Sequence, residues 1–181
     1  EISHGPWQAI VTEQGATLRS LRYDGVDVVK SFNADQSPAS SQGQQLLPWS
    51  NRIRDGHYTF NGVEQQLAVS EVDRHNAIHG LVAWSRWSLV KHTDTSVTQA
   101  IRIMARPGWP GTIDVHLTHR LSDTGLAIEV TARNVGTTAV PFGYAAHPYF
   151  CLGGAIDDWM IDAPFTSWLP VSYTHLRAHE T

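Results

Sequence analysis

Apolar and polar residues alternate most regularly between positions 113 and 132. The apolar positions are Ile113, Val115, Leu117 and Leu121 in a first run, then Leu126, Ile128, Val130 and Ala132 in a second. A repeat of two residues is that of a β-strand with one buried face. Because residues 122–125 supply a turn between the two runs, the pattern predicts a half-buried antiparallel β-hairpin.

Shorter β-strands are predicted along the rest of the chain. They fall at residues 8–12, 16–23, 26–29, 58–60, 63–69, 84–92 and 95–105. Asn61-Gly62 lies between two of them and favours a two-residue hairpin turn. Residues 33–45 are rich in Ser, Gln, Ala and Asn without periodicity, so we expect an exposed loop there. No segment has the apolar spacing of a three-turn amphipathic helix, and the repeated short strands predict an all-β antiparallel sandwich or barrel.

The composition of the chain excludes several classes of protein. The 181 residues suit one domain or a piece of a larger one, and 41% apolar with 17% charged residues is typical of a globular chain. The formal net charge of −4 argues against electrostatic binding to nucleic acid. No apolar run reaches the length of a membrane span, and no signal peptide is visible in a chain that begins at Glu1. The single cysteine, Cys151, fits a reducing compartment and hence the cytoplasm.

One histidine has neighbours that suit a role in proton transfer. Residues 141–150 read Pro-Phe-Gly-Tyr-Ala-Ala-His-Pro-Tyr-Phe, and Pro148 biases His147 towards an extended conformation at the end of a strand. An imidazole held in this way is a candidate general acid or base near neutral pH. The alternative is a histidine that is only packed and hydrogen-bonded.

Two arginines precede the Asn-Gly hairpin. Alternation places Arg52 and Arg54 on the same side of an extended segment, beside Trp49. A guanidinium can donate several hydrogen bonds to the hydroxyl groups of a ligand, and an aromatic ring offers a flat apolar surface to its C–H groups. The alternative is a solvated pair of charges.

The remaining histidines do not form a recognisable metal site. His75 and His79 are four residues apart, but their segment has neither helical character nor the glutamate of a zinc protease. His116 and His119 are not part of a Cys/His cluster, and we interpret both as structural. The chain also lacks a Gly-x-Ser-x-Gly motif and a glycine-rich phosphate loop.

Five sequence blocks occur in a fixed order along the chain. They are Leu-Pro-Trp-Ser-Asn-Arg-Ile (47–53) with Gly-x-Tyr-x-Phe-x-Gly (56–62), Asn-Ala-Ile-His-Gly-Leu (76–81), Gly-Trp-Pro-Gly (108–111), the long hairpin after it, and His-Pro-Tyr-Phe (147–150). Together they resemble the aldose 1-epimerase (galactose mutarotase) family, in a bacterial branch, from about residue 15 to about residue 170. The resemblance implies a large twisted antiparallel β-sandwich of the galactose mutarotase type, in agreement with the strand pattern.

The resemblance also implies a carbohydrate isomerase that interconverts the α and β anomers of an aldose such as glucose or galactose. In that reaction a base removes the C1 hydroxyl proton, an acid protonates the ring oxygen, and the opened ring closes again on the other carbonyl face. His147 matches the family's proton donor to the ring oxygen, and His79 matches a second active-site histidine that binds the sugar. Asn51, Arg52 and Tyr149 match substrate-binding positions, and neither a cofactor nor a metal is implied.

The end of the chain departs from the family pattern. The family's catalytic base is a glutamate far towards the C-terminus, preceded by a substrate-binding aspartate, and neither has a counterpart here. Residues 172–181 show no strand alternation and no likeness to the family. We therefore expect a partial β-sandwich domain over residues 1–171, incomplete at its C-terminus, with a non-family tail over residues 172–181 and impaired activity.

Two other functions stay open. A non-catalytic carbohydrate-binding β-sandwich would use the same arginine, tryptophan and histidine side chains without proton transfer. A hexose-phosphate mutarotase would need further basic residues to hold the phosphate, for which Arg54 and Arg86 are the candidates.

Overall fold

The fold is all-β, as the alternation predicts. The computed structural model describes residues 1–167, which form β-strands and three single-turn 3-10 segments, Ala39–Ser41, Val72–Arg74 and Ile156–Asp158. The strands are β1 Ile2–His4, β2 Trp7–Val11, β3 Leu18–Tyr23, β4 Val26–Val29, β5 Gln45–Leu46, β6 Arg52–Arg54, β7 His57–Phe60, β8 Val63–Gln66, β9 Asn76–Ile78, β10 Ser88–His92, β11 Ser96–Ile103, β12 Ile113–Ser122, β13 Gly125–Asn134 and β14 Ala145–Ala146.

Two four-stranded antiparallel sheets pack face to face. One has the order β1-β2-β3-β4 and the other the order β10-β11-β12-β13. Ile2, Ala9 and Leu21 of the first sheet share a buried cluster with Leu121 of the second. Burying one Leu or Ile side chain stabilises a fold by roughly 1.5–3 kcal/mol, so this cluster joins the two sheets.

The long hairpin β12–β13 has the predicted register. Leu121 pairs with Leu126, and Ser122 pairs with Gly125 at the turn. Every second residue of β12, beginning at Ile113, is buried. His119 occupies one of these buried positions with 0% exposure, which fits its interpretation as structural.

A second buried cluster supports the short strands. Trp87 and Trp109 lie in it with 0% and 1% exposure, together with Leu47. Ile53 of β6 and Tyr58 of β7 pack against it from outside. The short strands pair as β5 with β14, β6 with β9 and β7 with β8, and they carry the loops described below.

The expectation of an exposed loop at residues 33–45 is wrong for its last part. Gln44 and Gln45 are 0% and 1% exposed. Gln45 pairs with Ala146 in the β5–β14 ladder, and the Gln44 side-chain amide donates to the carbonyl of Ala83 at 2.9 Å. A glutamine-rich segment has no apolar signal, yet it can be buried where its amide groups find protein partners in place of water.

Other local predictions have mixed outcomes. The Asn61-Gly62 turn is confirmed, with φ of 50° and 76° at the two residues, as a type I′ turn requires. The strand predicted at 84–92 begins only at Ser88. The part of the chain that the structure describes contains no helix long and apolar enough to cross a membrane. The expected boundary at residue 171 and the tail at 172–181 lie outside the described residues.

Candidate active site

The strand pair β6–β9 brings Asn51 and His79 together. Arg52 pairs with Ile78, so Asn51 lies just before β6 and His79 just after β9. The peptide N–H of His79 donates to the carbonyl of Asn51 at 3.0 Å, and the peptide N–H of Asn51 donates to Nδ1 of His79 at 3.2 Å. Nδ1 is therefore an acceptor, and the neutral imidazole carries its proton on Nε2.

A close backbone crossing fixes the direction in which His79 leaves β9. Gly80 has a φ of +79°, and an added Cβ would overlap the carbonyl oxygen of Leu47. The same carbonyl accepts a hydrogen bond from the peptide N–H of Leu81 at 2.9 Å. Only glycine fits at this crossing, which explains the Gly that follows the histidine.

His147 is held by a short ladder on the other side of the site. Its peptide N–H donates to the carbonyl of Gln44 at 3.1 Å, and its carbonyl accepts from the peptide N–H of Gly43 at 2.8 Å. These bonds continue the β5–β14 pairing past Ala146. The hydroxyl of Tyr149 donates to the carbonyl of Ser40 at 3.0 Å, so the segment after His147 is also tied to the 39–45 region.

Three aromatic side chains form a row on this surface. The ring centroids of His79 and His147 are 5.4 Å apart with an interplanar angle of 82°, and those of His147 and Tyr149 are 5.4 Å apart at 56°. The structure thus brings together two histidines from distant parts of the chain.

Arg52 approaches the row through a hydrogen-bonded network. Its Nε and Nη2 donate to the two carboxylate oxygens of Glu71, each at 2.7 Å, and its Nη1 donates to Oδ1 of Asn51 at 3.3 Å. The side-chain amide of Asn76 donates to Glu71 at 2.9 Å. The sequence indicates Arg52 but not Glu71, which lies in an irregular segment with no periodic signal. Asn76 belongs to a recognised block, but nothing in that block assigns it a contact.

The network shifts the protonation equilibria of its members. The hydrogen bond from Arg52 lowers the pKa of Glu71, and the same bond raises the pKa of Arg52. Burial, together with the nearby His147 and Arg52, lowers the pKa of His79 to about 4. At neutral pH the site therefore holds a carboxylate, a guanidinium and a neutral His79 imidazole.

Trp49 and Phe142 form an aromatic groove near this network. The groove has a volume of about 390 Å³ and is also lined by Tyr58 and Trp109. The Trp49 and Trp109 ring centroids are 6.5 Å apart. Trp49 precedes Asn51 by two residues, but the lining of the groove includes none of Asn51, Arg52, Glu71 and His79.

His147 also borders an apolar cavity of about 270 Å³. Leu18, Leu21, Leu126 and Phe150 are among the residues that line it. The lining includes neither His79 nor Arg52, so the polar cluster and this cavity are separate surfaces that meet at His147.

Arg86, unlike Arg52, forms an ion pair on the surface. Arg86 donates to the exposed carboxylate of Glu13 at 3.0 Å. Glu71 is the one carboxylate hydrogen-bonded to the cluster within residues 1–167, and both of its oxygens accept bonds from Arg52. Across the same residues, no three His, Cys, Asp or Glu side chains are grouped to hold a metal ion.

The family comparison covers nearly the whole chain. A sequence model described as aldose 1-epimerase matches residues 1–175. The Escherichia coli (strain K12) protein YihR, which is described as uncharacterized, is 33% identical over 165 residues, covering 90% of this chain and 54% of YihR. The aldose 1-epimerase of the same strain is 28% identical over 127 residues, covering 68% of this chain and 36% of that enzyme. The chain thus spans about half the length of YihR and less of the epimerase.

Solved structures agree on the fold. A GalM/aldose epimerase homologue from C. elegans superimposes with a TM-score of 0.73, at 24% identity, covering 85% of this chain and 50% of that one. Galactose 1-epimerase from Lactobacillus acidophilus NCFM superimposes with a TM-score of 0.67, at 21% identity, covering 80% and 46% respectively. At these identities the likeness is one of fold.

Proposed function

Because the chain belongs to the aldose 1-epimerase family, we propose that it takes part in the interconversion of the α and β anomers of an aldose such as glucose or galactose. The observation that carries the proposal is the edge-to-face contact of His79 and His147, whose ring centroids are 5.4 Å apart. Ring opening needs a proton at the ring oxygen and hydrogen bonds that hold the neighbouring oxygens, and two adjacent imidazoles can supply one each.

The proposed roles follow from the hydrogen-bonding capacity of each group. His147 donates a proton to the ring oxygen, which lets the C1–O5 bond break. His79 is neutral and has Nδ1 occupied by the peptide N–H of Asn51, so its Nε2–H donates a hydrogen bond to a sugar oxygen. Arg52 and Tyr149 hold further hydroxyl groups.

The reaction also needs a base that removes the C1 hydroxyl proton. Glu71 is poorly suited to that role. Both of its oxygens accept hydrogen bonds from Arg52, and its pKa is lowered, so it is a weak proton acceptor. We propose that the 181-residue chain turns its sugar over slowly for this reason. The same observation favours a second candidate, a carbohydrate-binding β-sandwich that holds a sugar without catalysing its conversion.

Polarimetry on freshly dissolved α-glucose and α-galactose tests the proposal. We expect the chain to raise the rate of mutarotation modestly above the spontaneous rate and His147→Ala to return it to the spontaneous rate. His116→Ala, on the exposed face of β12, is the control and should leave the rate unchanged. Sugar binding by calorimetry with no acceleration would favour the binding protein, and full turnover by His147→Ala would exclude the proton-donor role.

The proposed location is the cytoplasm. Cys151 is a free, exposed thiol, which persists in a reducing compartment. Fractionation of cells that express the tagged protein tests this location.

A further inference from the structure

We infer that Glu71 is a positioning residue that fixes the Arg52 guanidinium towards the sugar, an inference that rests on the proposed function. Glu71 touches no reacting atom in this scheme. It acts by holding one edge of the guanidinium, so that the remaining N–H groups of Arg52 keep a fixed direction beside Asn51.

The geometry of the guanidinium determines which donors remain for a ligand. An arginine side chain has five N–H groups in one plane. Two of them, on Nε and Nη2, bond the two oxygens of Glu71 at 2.7 Å, and one on Nη1 bonds Oδ1 of Asn51 at 3.3 Å. The other two N–H groups have no partner among the described residues. A paired bond of this kind fixes the rotation of the plane as well as its distance, which a single hydrogen bond does not.

Glu71 is itself held by β9. Its peptide N–H donates to the carbonyl of Asn76 at 2.9 Å, and the peptide N–H of Asn76 donates back to the carbonyl of Glu71 at 3.1 Å. The side-chain amide of Asn76, which is 4% exposed, adds a third bond to the carboxylate. The carboxylate is therefore attached to the same strand that delivers His79, and it keeps Arg52 in register with that histidine.

The pair differs from the surface ion pairs of this protein. The Arg52 and Glu71 side chains are 21% and 18% exposed, whereas those of Arg86 and Glu13 are 79% and 59% exposed. Exposed pairs are weakened by solvent and by side-chain entropy, but a half-buried paired bond holds its geometry. The Arg86–Glu13 pair is thus a matched control within the same chain.

The experiment compares Glu71→Gln with Glu13→Gln in the whole chain. Glutamine keeps the size of the side chain but loses the charge and one of the two acceptors. We expect Glu71→Gln to raise the dissociation constant for glucose or galactose, measured by calorimetry, about five- to fiftyfold, with a matching rise in KM and kcat within about threefold. Glu13→Gln should change none of these values.

A double-variant cycle separates positioning from general stability. If Glu71 acts through Arg52, then Glu71→Gln has no further effect on sugar affinity in an Arg52→Ala background. A merely structural role would weaken binding equally in both backgrounds. Should Glu71→Gln fail to fold, Glu71→Asp takes its place, because it keeps the charge and shortens the side chain by one methylene. We expect it to give a smaller loss of affinity than Glu71→Gln.

The outcomes distinguish this inference from the proposed function. Sugar binding without turnover, weakened by Glu71→Gln, would reject the epimerase proposal and keep the inference. Turnover with sugar affinity unchanged by Glu71→Gln would reject the inference and keep the proposal. A protein that neither binds nor converts the sugars would overturn both.

Discussion

Asn51 and His79 bond each other twice, once between their backbones at 3.0 Å and once from the Asn51 peptide N–H to Nδ1 of the His79 ring at 3.2 Å. Both residues have positive φ, 57° and 61°, so the two strand ends turn towards each other. The second bond ties the orientation of the imidazole to the backbone, because its donor is a peptide N–H and not a mobile side chain.

His79 should stay uncharged in moderately acidic solution. A free imidazole titrates near pH 6.5, but the pKa of His79 is lowered to about 4 by burial and by the nearby His147 and Arg52. Two-dimensional ¹H–¹⁵N NMR of the ring nitrogens should show a neutral ring with the proton on Nε2 from pH 7 to about pH 5. A midpoint near 6.5, or a proton on Nδ1, would contradict the assigned hydrogen bond.

Arg52→Ala should weaken substrate binding more than turnover. In the proposed function Arg52 donates to hydroxyl groups in the ground state and the transition state alike, so we expect its loss to raise KM by about tenfold or more, with kcat within about threefold. Arg52→Lys keeps the charge but lacks the planar guanidinium, so its KM should lie between that of the unchanged protein and that of Arg52→Ala. Polarimetry over a range of sugar concentrations gives both constants. A fall in kcat at constant KM would instead give Arg52 a role in the chemical step.

The buried His119 should make the fold sensitive to acid. Burial lowers the pKa of its ring to about 4, so between pH 6.5 and 4 the unfolded chain binds a proton that the folded chain does not. The contribution of His119 to the free energy of unfolding should therefore fall as the pH drops across this window and stay constant above it. The loss reaches about 3 kcal/mol when the pH passes the folded pKa.

His119→Leu should remove this contribution and stabilise the protein at pH 7. Neither ring nitrogen has a hydrogen-bond partner among residues 1–167, and an unsatisfied buried polar group costs about 1–3 kcal/mol. Urea unfolding at pH 7 and at pH 5 measures both effects. His116→Leu, on the exposed face of the same strand, is the control and should change stability by about 0.5 kcal/mol or less. Equal acid sensitivity in His119→Leu and the unchanged protein would assign the effect to other groups.

The sequence predicts the parts of this fold that depend on short-range pattern. The period of two in β12 and β13 is local, and so is the Asn61-Gly62 turn, and both are confirmed. Burial of Gln44 and Gln45 depends on hydrogen-bond partners far along the chain, such as Ala83, and no local pattern contains that information.

The same division applies to the site. His79, His147 and Arg52 stand in recognisable blocks, and the structure places the two histidines in contact. Glu71 could not be identified, because its importance comes from its bonds to Arg52, 19 residues away, and to Asn76 in the adjoining strand. From sequence alone, an acidic residue in an irregular segment is interpreted as a solvated charge, because its partner is not visible.

Gly80→Ala should damage both the fold and the site. The new Cβ would overlap the carbonyl oxygen of the buried Leu47, and the φ of +79° is one that alanine adopts only with strain. Relief requires the backbone of Leu47 or of Gly80 to move, and Gly80 is bonded directly to His79. We expect a loss of about 3 kcal/mol or more in the free energy of unfolding, from backbone strain plus overpacking.

Gly62→Ala separates the two causes. Gly62 has nearly the same φ, +76°, but an added Cβ there would meet nothing within 4 Å, so only the backbone strain remains. Its expected loss is about 1 kcal/mol, with sugar binding unchanged. Urea unfolding and calorimetric sugar binding on both variants measure the difference. Because strain is common to the two positions, the excess loss at Gly80 reports the contact with Leu47. If the two variants lost equal stability and bound sugar equally well, the crossing would not be what holds His79 in place.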